Sequence, residues 1–487
     1  MLQRSLGHYE RFSLARHNMA HSPAVIFSAQ LPNDSLNSSN LIDSIRYLLN
    51  SEPLLRSSIA FSRTEDPKFR LQEGIEPEKV LVKVESVANS TEEALLRGVQ
   101  AMVDLDIEQA PLWRVFLYEP DTNKKRRRIV LAVHHTLCDG SAARNLFVEL
   151  LTLLRQPAID FSSSPTNSSF PPSLEETIDV RPSKLFVLRN LFPLFIAPRL
   201  PSFLYASPTP FWPNPSSVTP FTQPTSLRHF FLPTELSLAL STVSKSHKAK
   251  TLQPVFTTVA TAAIANVVTT RRRNLDSPGE LNIKSQSPIS LRSPDLGHPS
   301  LTGNYVSSAS HPSPSITPSY LSSTRFWSEV RSYSEYLNLP STRQTAKEGM
   351  GLLAYLPSAV EPTLDDRGKP WTGWEKHLRD QMVESKNPWT GGSFEVSNLG
   401  RMKDLQKEWE QVGGVEEVCW AQPGSGIGIG LAFNTISSGG VLSCTVTWRK
   451  DSIDTETVEE IVKAYETILT RIAKGEIGED TKLGELI

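Results

Sequence analysis

The sequence predicts a mixed α/β protein of two domains joined by a crossover segment. Its 487 residues exceed the size of one ordinary hydrophobic core. Helix and strand patterns are mixed along the chain, and the clearest case is a strand, a short turn and a helix within 126–154. Two stretches rich in serine and proline, 161–172 and 207–224, separate the halves. We therefore predict an N-terminal domain at 1–160, a crossover at 161–225 and a C-terminal domain at 226–487.

The strand, turn and helix carry most of the information. Ile129–Val133 is a continuous apolar run rich in β-branched residues, which is typical of a strand buried on both faces. From Ser141 onward the apolar positions recur at helical spacing, so the chain turns at 136–140 and enters an amphipathic helix. Side chains alternate along a strand, so His134 and His135 face opposite ways and only one can face a given cavity.

Asp139 and Gly140 lie at the end of the turn. Asp139 follows His135 by four residues but precedes the helix, so it brings a carboxylate back under the end of the strand. Gly140 would allow a tight turn or a close approach to a ligand. The simpler alternative makes Asp139 a helix N-cap and the histidine a side chain satisfied by a neighbour. A metal site would need further ligands, and no spaced cluster of His, Cys or Glu supplies them, so we expect no metal.

Other elements follow from periodicity and capping signals. In the N-terminal half these signals predict a half-buried segment at 6–19, strands at 23–29, 52–61, 111–120 and 127–135, and helices capped by Ser39 and by Ser90 with Glu93. In the C-terminal half they predict a strand near 226, a strand ended by a turn at 393–400, helices from 234, at 253–268 and at 458–472, and an exposed excursion at 371–392.

The glycines near residue 430 invite a nucleotide-binding interpretation. They stand at 424, 426, 428 and 430, which does not match GxGxxG. The sequence after them alternates as a β-hairpin, so no helix follows to receive a pyrophosphate. We therefore expect no dinucleotide site here.

Composition and charge restrict the class of protein. A hydrophobic content of 39% and a charged content of 21% are typical of a soluble globular protein, and a net charge of −2 gives no reason to expect a nucleic-acid partner. Three cysteines are too few for a disulfide framework. The first thirty residues lack a continuous apolar stretch, and no run of eighteen apolar residues exists, so we expect a cytoplasmic protein.

One apolar segment, Leu185–Tyr205, leaves two alternatives open. It is dense in leucine and phenylalanine but is broken by three prolines. We favour a segment that covers the core. The alternative is a peripheral contact with an intracellular membrane or a lipid droplet.

Residues 134–140, HHTLCDG, have the form HHxxxDG. This motif resembles that of CoA-dependent acyltransferases and peptide-synthetase condensation domains. Other stretches agree in the order that the family has them: LGHYERF, EPLLR, PLWRV, SLR, GN and SNLG, and the opening pattern LGxxExxxxxRH agrees as well. The chain resembles a fungal alcohol acetyltransferase with the chloramphenicol acetyltransferase-like fold. It lacks the DFGWG motif of the plant enzymes.

The resemblance implies a fold and a reaction. It implies two αβ domains with a tunnel between them, entered by acyl-CoA on one side and by the acceptor on the other. His135 would be the general base, and Asp139 would hold the turn by pairing with Arg292. His134 would support the site from the opposite strand face. Without the family, Arg292 would be an ordinary surface arginine.

The same resemblance implies the remaining site residues. Asn398, with Ser397 beside it, would lie near the tunnel opposite the histidine. The Asn398 amide and the backbone N–H groups after Gly140 would stabilise the developing oxyanion. In the simpler alternative Asn398 and Gly400 form a turn that ends a strand. No bound cofactor is expected, and acetyl-CoA would be the co-substrate.

Three functions stay open. The favoured one is transfer of an acetyl group to an alcohol by a monomeric enzyme, without an acyl-enzyme intermediate. The second is acetylation of a sphingoid-like amine. The third is a binding module that keeps the fold without catalysis. The identity of the acceptor and the acyl length do not follow from the sequence, because pocket shape comes from residues scattered over both domains.

Overall fold

The computed structural model describes residues 2–487 apart from 22, 34–37, 89, 122–124, 157–168, 193–199, 201–210, 214–223, 275–280, 293–300, 312–314, 366–367, 384–391, 403–404, 406–408 and 426–427. Most of the predicted crossover at 161–225 lies outside the described residues, and so does most of the apolar segment 185–205.

Thirteen helices and eighteen strands are formed by the described residues. The helices are α1 (His8–Asn18), α2 (Ser38–Ser51), α3 (Thr91–Val103), α4 (Gly140–Leu153), α5 (Leu174–Thr177), α6 (Lys184–Leu191), α7 (Thr234–Ser246), α8 (Leu252–Asn274), α9 (Pro318–Ser323), α10 (Phe326–Asn338), α11 (Pro340–Leu352), α12 (Gly373–Val383) and α13 (Thr455–Ala473). The strands of the N-terminal half are β1 (Gln3–Ser5), β2 (Ala24–Pro32), β3 (Ser57–Ala60), β4 (Lys68–Leu71), β5 (Leu81–Val84), β6 (Trp113–Tyr118) and β7 (Arg126–His134). The later strands are β8 (Thr225–Leu232), β9 (Leu281–Asn282), β10 (Ser285–Ser290), β11 (Val306–His311), β12 (Ser315–Ile316), β13 (Val360–Leu364), β14 (Pro370–Thr372), β15 (Gly392–Arg401), β16 (Glu416–Ala421), β17 (Ile429–Ser438) and β18 (Val441–Arg449).

The first large sheet has five strands in the order β16-β2-β7-β6-β5. Its β7 strand pairs antiparallel with β2 on one side and with β6 on the other, so β6 and β7 form a hairpin. Every residue of Ile129–His134 is fully buried, as the continuous apolar run predicts. The end of β7 therefore carries His135 out of a buried strand that is paired on both sides over Ile129–Val133.

The second large sheet has six strands in the order β11-β10-β15-β17-β18-β8. Its β15 strand runs parallel to β10 and β17, and β17 with β18 forms the predicted hairpin. The helix α8 packs against β15, and α13 packs against α7 and α8. Three smaller sheets, β1-β4-β3, β12-β9 and β13-β14, complete the strand pairing of the described residues.

Two hydrophobic clusters form the centre of the molecule. One lies around the five-stranded sheet and the other around the six-stranded sheet. The strand β16 belongs to the late part of the chain but pairs with β2, where Trp420 lies opposite Phe27 and their rings stack 6.1 Å apart. The two halves are thus linked by strand pairing, and the predicted boundaries at 160 and 225 stay a prediction.

The helix α8 is long and apolar enough over Leu252–Arg272 to cross a membrane, but 67% of its apolar window is buried inside the protein. It is the only described helix with this composition. A buried core helix has the same composition, because every face of such a helix meets apolar neighbours.

Two predictions about local structure were wrong. The stretch 371–392 is no exposed excursion over its described part, because Trp374 and Leu378 of α12 are buried against Ala15 and Met19. Tryptophan among charged residues suggests an exposed loop, whereas the ring of Trp374 packs in a small separate hydrophobic cluster. The second helix begins at Ser38, so Ser39 lies inside it and is not its cap.

Candidate active site

A cavity of about 450 Å³ lies between the two large sheets. On one side it is lined by α1, by the start of β2 and by the turn after β7. On the other side it is lined by β10, β15 and the chain after β16. The volume falls in the range that is common for small-molecule sites. Both halves of the chain are therefore needed to form this cavity.

His135 faces this cavity from the end of β7. Its backbone N–H donates to the carbonyl oxygen of Pro23 at 2.6 Å, and its ring packs edge-on against the ring of Tyr9 at 5.4 Å. The ring nitrogen Nδ1 is buried without a hydrogen bond of standard geometry among the described residues. Burial lowers the pKa of His135 below the ordinary value and outweighs the contact with its own backbone, which raises it; Arg16 lowers the pKa further. The ring is therefore neutral at neutral pH.

Asp139 is fully engaged by groups other than His135. Its Oδ1 accepts a hydrogen bond from the Ala142 N–H at 2.9 Å, which makes Asp139 the N-cap of α4. Its Oδ2 accepts from Arg292 Nη1 at 2.6 Å and from the Tyr305 N–H at 2.9 Å. Only 1% of the residue is exposed. Both alternatives that the sequence left open for Asp139, the cap and the arginine partner, are present at once.

A second segment, residues 301–305, holds the turn from the far side. The Gly303 N–H donates to Leu137 O at 2.7 Å, and the Asp139 N–H donates to Gly303 O at 3.1 Å. Gly303 has φ +97°, and a Cβ there would lie 2.6 Å from Tyr305 Cε2, so only glycine fits without strain. Asn304 Nδ2 donates to the carbonyl oxygens of both His135 and Thr136. The sequence pattern GN is part of the family resemblance, but nothing local indicates that its asparagine positions the histidine.

His134 lies on the opposite face of the strand, as alternation predicts. Its ring is fully buried, and it packs against the ring of His17 at 5.0 Å. The Thr136 N–H donates to His134 Nδ1 at 3.2 Å, so that nitrogen carries no proton. Burial holds the pKa of His134 far below the ordinary value, with His17 adding to the effect. His134 is therefore neutral and does not line the cavity.

Ser397, Asn398 and Gly140 all line the cavity. Asn398 Oδ1 accepts from the Gly400 N–H at 2.9 Å, which is the predicted turn at the end of the strand. No hydrogen bond of the Asn398 amide nitrogen is seen among the described residues. Gly140 does not have the left-handed backbone that its role in the turn suggested. A Cβ on residue 140 would lie 3.0 Å from Cδ2 at the end of the Leu399 side chain.

Three polar side chains opposite the turn escaped the sequence analysis. Arg16 of α1, Glu395 of β15 and Gln422 after β16 line the same cavity. Gln422 Nε2 donates to Glu395 Oε1 at 2.7 Å, and burial raises the pKa of Glu395 to about 7. Two of the three could have been found from the sequence, because Glu395 shares a strand face with Ser397 and Arg16 is the arginine of the opening pattern. No local pattern indicates Gln422.

Metal binding and thiol chemistry find no support at this site. No group of three or more His, Cys, Asp or Glu side chains that could hold a metal occurs among the residues that the structure describes. Burial raises the pKa of the Cys138 thiol well above its ordinary value, and its Sγ donates to Leu301 O at 3.4 Å. Cys138 is therefore a buried structural thiol and no thiolate nucleophile.

Two comparisons with known proteins indicate one family. The family model described as alcohol acetyltransferase matches residues 79–469. A "Probable alcohol acetyltransferase FCK4" from Fusarium pseudograminearum is 23% identical over 438 residues, which are 84% of this chain and 81% of the relative.

Solved structures share the fold at low identity. The condensation domain from the Monacolin K polyketide synthase MokA matches with a TM-score of 0.60 at 11% identity, over 99% of each chain. The EpoB NRPS cyclization-docking bidomain from Sorangium cellulosum matches with a TM-score of 0.59 at 13% identity, over 98% of this chain and 86% of that one. Polyketide synthase associated protein 5 from Mycobacterium tuberculosis matches with a TM-score of 0.57 at 13% identity, over 97% and 98%. These matches confirm the predicted two-domain fold class.

Proposed function

The chain belongs to the alcohol acetyltransferase family and is an O-acyltransferase, and from that premise we propose that it moves an acetyl group from acetyl-CoA to an alcohol hydroxyl with His135 as general base. One observation supports this most: a neutral histidine faces a cavity built by both halves, while the nearby aspartate is occupied elsewhere. A neutral imidazole can accept a proton, whereas a protonated one cannot.

The reaction needs one base and no covalent intermediate. His135 Nε2 takes the proton from the acceptor hydroxyl as that oxygen attacks the thioester carbon. The tetrahedral intermediate then collapses, the carbon–sulfur bond breaks, and the imidazolium returns the proton to the CoA sulfur. The products are an acetyl ester and free CoA. Base assistance of this kind contributes about 10² to 10⁴ in rate.

The oxyanion of the intermediate needs donors that face the cavity. Asn398 supplies an amide nitrogen beside it. Gly140 and Ser141 also line the cavity, and their N–H groups precede those of Ala142 and Ala143, which are bonded to Asp139. One well-placed donor is worth roughly 10² to 10³ in turnover.

Asp139 and Arg292 have a structural role in this proposal, and His134 has a supporting one. The ion pair joins the turn after β7 to the end of β10, so it holds His135 in place across the two sheets. His134 stays neutral and buried behind the catalytic strand face.

We propose a cytoplasmic monomer that uses acyl-CoA and a small or lipid-like alcohol. Leu185 and Leu188 of α6 are 75% and 55% exposed, which fits a peripheral contact with a membrane or lipid droplet. Cosedimentation with phospholipid vesicles should fall when both leucines are changed to serine, and unchanged cosedimentation would remove this idea.

The decisive experiment is release of the free CoA thiol from acetyl-CoA. Wild type, His135→Ala and the control His311→Ala are tested with short alcohols, fatty alcohols, sterols and sphingoid amines. His311 is a suitable control because it is half-buried, its pKa is also lowered by burial, and it packs on Tyr333 and Tyr336 outside the cavity.

We expect thiol release that depends on an alcohol, at least about a hundredfold slower in His135→Ala. The melting temperature of that variant should stay close to that of wild type, and His311→Ala should keep wild-type turnover. Full activity in His135→Ala would remove the catalytic assignment. Release with amines but not with alcohols would replace the proposed acceptor, and CoA binding without any transfer would indicate a binding module.

A further inference from the structure

Glu395 is a buried carboxylate that the proposed reaction does not use. It is 9% exposed, and it projects from β15 on the same strand face as Ser397, beside Gln286 of β10. All three side chains line the cavity. Gln422 donates to Oε1, and no hydrogen bond to Oε2 is seen among the described residues. A carboxylate with one neutral donor is poorly compensated for the loss of water.

Arg16 reaches the same cavity from the opposite side. It stands seven residues after Tyr9 on α1, so both side chains lie on one helix face and both line the cavity. Within the described part of the chain its guanidinium has no hydrogen bond, and Glu395 is not within ion-pair distance of it. The two groups nevertheless interact electrostatically. Glu395 raises the pKa of Arg16, and Arg16 lowers the pKa of Glu395, although in each case burial has the larger and opposite effect.

Glu395 is buried and Arg16 is half-buried, and the two side chains line one cavity without forming an ion pair, so a polar group can lie between them. If stability alone decided, direct contact would be favoured, because an unpaired buried charge is costly. A group that bridges them must donate a hydrogen bond to the carboxylate and accept one from the guanidinium. A hydroxyl does both.

We propose that Arg16 and Glu395 form a subsite for a second hydroxyl of the acceptor, so that the substrate is a diol-type alcohol. This inference rests on the proposed function, because the first hydroxyl is the one that His135 would deprotonate. The second hydroxyl donates to Glu395 Oε2 and accepts from an Arg16 N–H. A hydrocarbon chain in its place leaves both charged groups unpaired, which is how polar sites reject apolar analogues. An ammonium group in this place would be repelled by Arg16, and a carboxylate would be repelled by Glu395.

The test compares a straight-chain alcohol with diols of the same length, in which the second hydroxyl moves along the chain. The ratio of kcat/KM for each diol to that for the alcohol is measured in wild type, Glu395→Leu, Arg16→Met and the control Glu329→Leu. Glu329 is half-buried with a pKa raised by burial, and it lies beside Tyr320 away from the cavity.

We expect at least one diol to be preferred about tenfold or more by wild type and by the control, since hydrogen bonds to charged groups are the strong ones. The ratio should fall close to one in both cavity variants. Equal ratios in wild type and in the cavity variants would overturn the subsite, and so would a wild type without any diol preference. If Glu395→Leu fails to fold, as judged by its melting curve, Arg16→Met decides alone.

A binding measurement separates this inference from the proposed function. Titration calorimetry of the preferred diol and of the alcohol, in the presence of CoA, needs no turnover. If no alcohol is acetylated but wild type binds the diol at least about tenfold tighter than Glu395→Leu does, the subsite stands and the proposed reaction fails. If transfer occurs but both proteins bind diol and alcohol alike, the reaction stands and the subsite fails.

Discussion

Two carboxylates on opposite sides of one cavity receive different numbers of hydrogen bonds from the protein. At the turn after β7, Asp139 accepts hydrogen bonds from Ala142, Arg292 and Tyr305. On the opposite side, Glu395 accepts one from Gln422. Both residues are at least nine-tenths buried.

The difference is between a carboxylate that the fold itself compensates and one that the fold compensates only in part. Three donors, one of them charged, compensate the desolvation of Asp139, so removing it should damage the fold. A single amide compensates Glu395 incompletely, and its pKa of about 7 reflects that burial. A protein keeps such a poorly satisfied charge where function requires it.

The sharpest way to break this comparison is Asp139→Ala. The change leaves Arg292 and the Tyr305 N–H without their partner and removes the cap of α4, so we expect a loss of about 3–5 kcal/mol in the free energy of unfolding. Turnover should fall as well, because the turn carries His135. Urea denaturation measures the loss, and Asp43→Ala is the control, since its pair with Arg46 is exposed. A loss in the control range, below about 1 kcal/mol, would show that the turn does not depend on Asp139.

Glu395 should behave in the opposite way, and the pH dependence of stability shows it. Its folded-state pKa is raised from 4.5 to about 7 by burial, so the folded protein binds this proton more tightly than the unfolded chain does. The stability from this proton is complete below pH 4.5 and is lost as the pH rises through about 7. Glu395→Gln has no ionisable group at this position and lacks this loss. The difference in the free energy of unfolding between Glu395→Gln and wild type should therefore change in favour of the variant by roughly 3 kcal/mol across that range.

Urea denaturation between about pH 5 and about pH 8, at intervals of about one unit, measures the effect. The exposed Glu65 provides the control, and Glu65→Gln should follow the wild-type profile. Parallel profiles for Glu395→Gln and wild type would show that the Glu395 carboxyl is better compensated than the cavity contacts indicate.

Asn304→Ala tests whether the turn positions the histidine. The change leaves the buried carbonyl oxygens of His135 and Thr136 without their donor, at a cost of roughly 1–3 kcal/mol. A shifted His135 should also lower turnover by roughly tenfold. The matched control is Asn434→Ala, a buried asparagine that donates to Thr445 Oγ1 outside the cavity and should leave turnover unchanged. Wild-type turnover in Asn304→Ala would reduce Asn304 to a purely structural residue.

Gly140→Ala should have the smallest effect, although Gly140 belongs to the motif. Its backbone is not left-handed, and the new Cβ meets only the end of the Leu399 side chain at 3.0 Å. We expect a change in stability of less than about 1 kcal/mol, because alanine also favours the helix. Gly303→Ala should cost more, roughly 1–3 kcal/mol, because φ there is +97°. Thermal melting of both variants gives the comparison, and equal losses would contradict it.

Much of the fold and part of the site could be predicted. The apolar run before His134 and the helical spacing after Ser141 are local patterns, and they predicted β7 and α4 nearly to their ends. Alternation also assigned the two histidines to opposite faces. The buried Trp374 was missed, because burial of an aromatic ring depends on a helix more than 350 residues earlier in the chain.

The sequence by itself determined the elements, the family resemblance and the small set of residues at the turn, because periodicity and short motifs act between near neighbours. Only the tertiary structure decided that Asn304 holds the backbone of His135, that Asp139 is fully bonded and that Arg16 shares a cavity with Glu395. The free energy of a buried charge depends on which distant donors approach it, and no pattern of neighbouring residues records that approach.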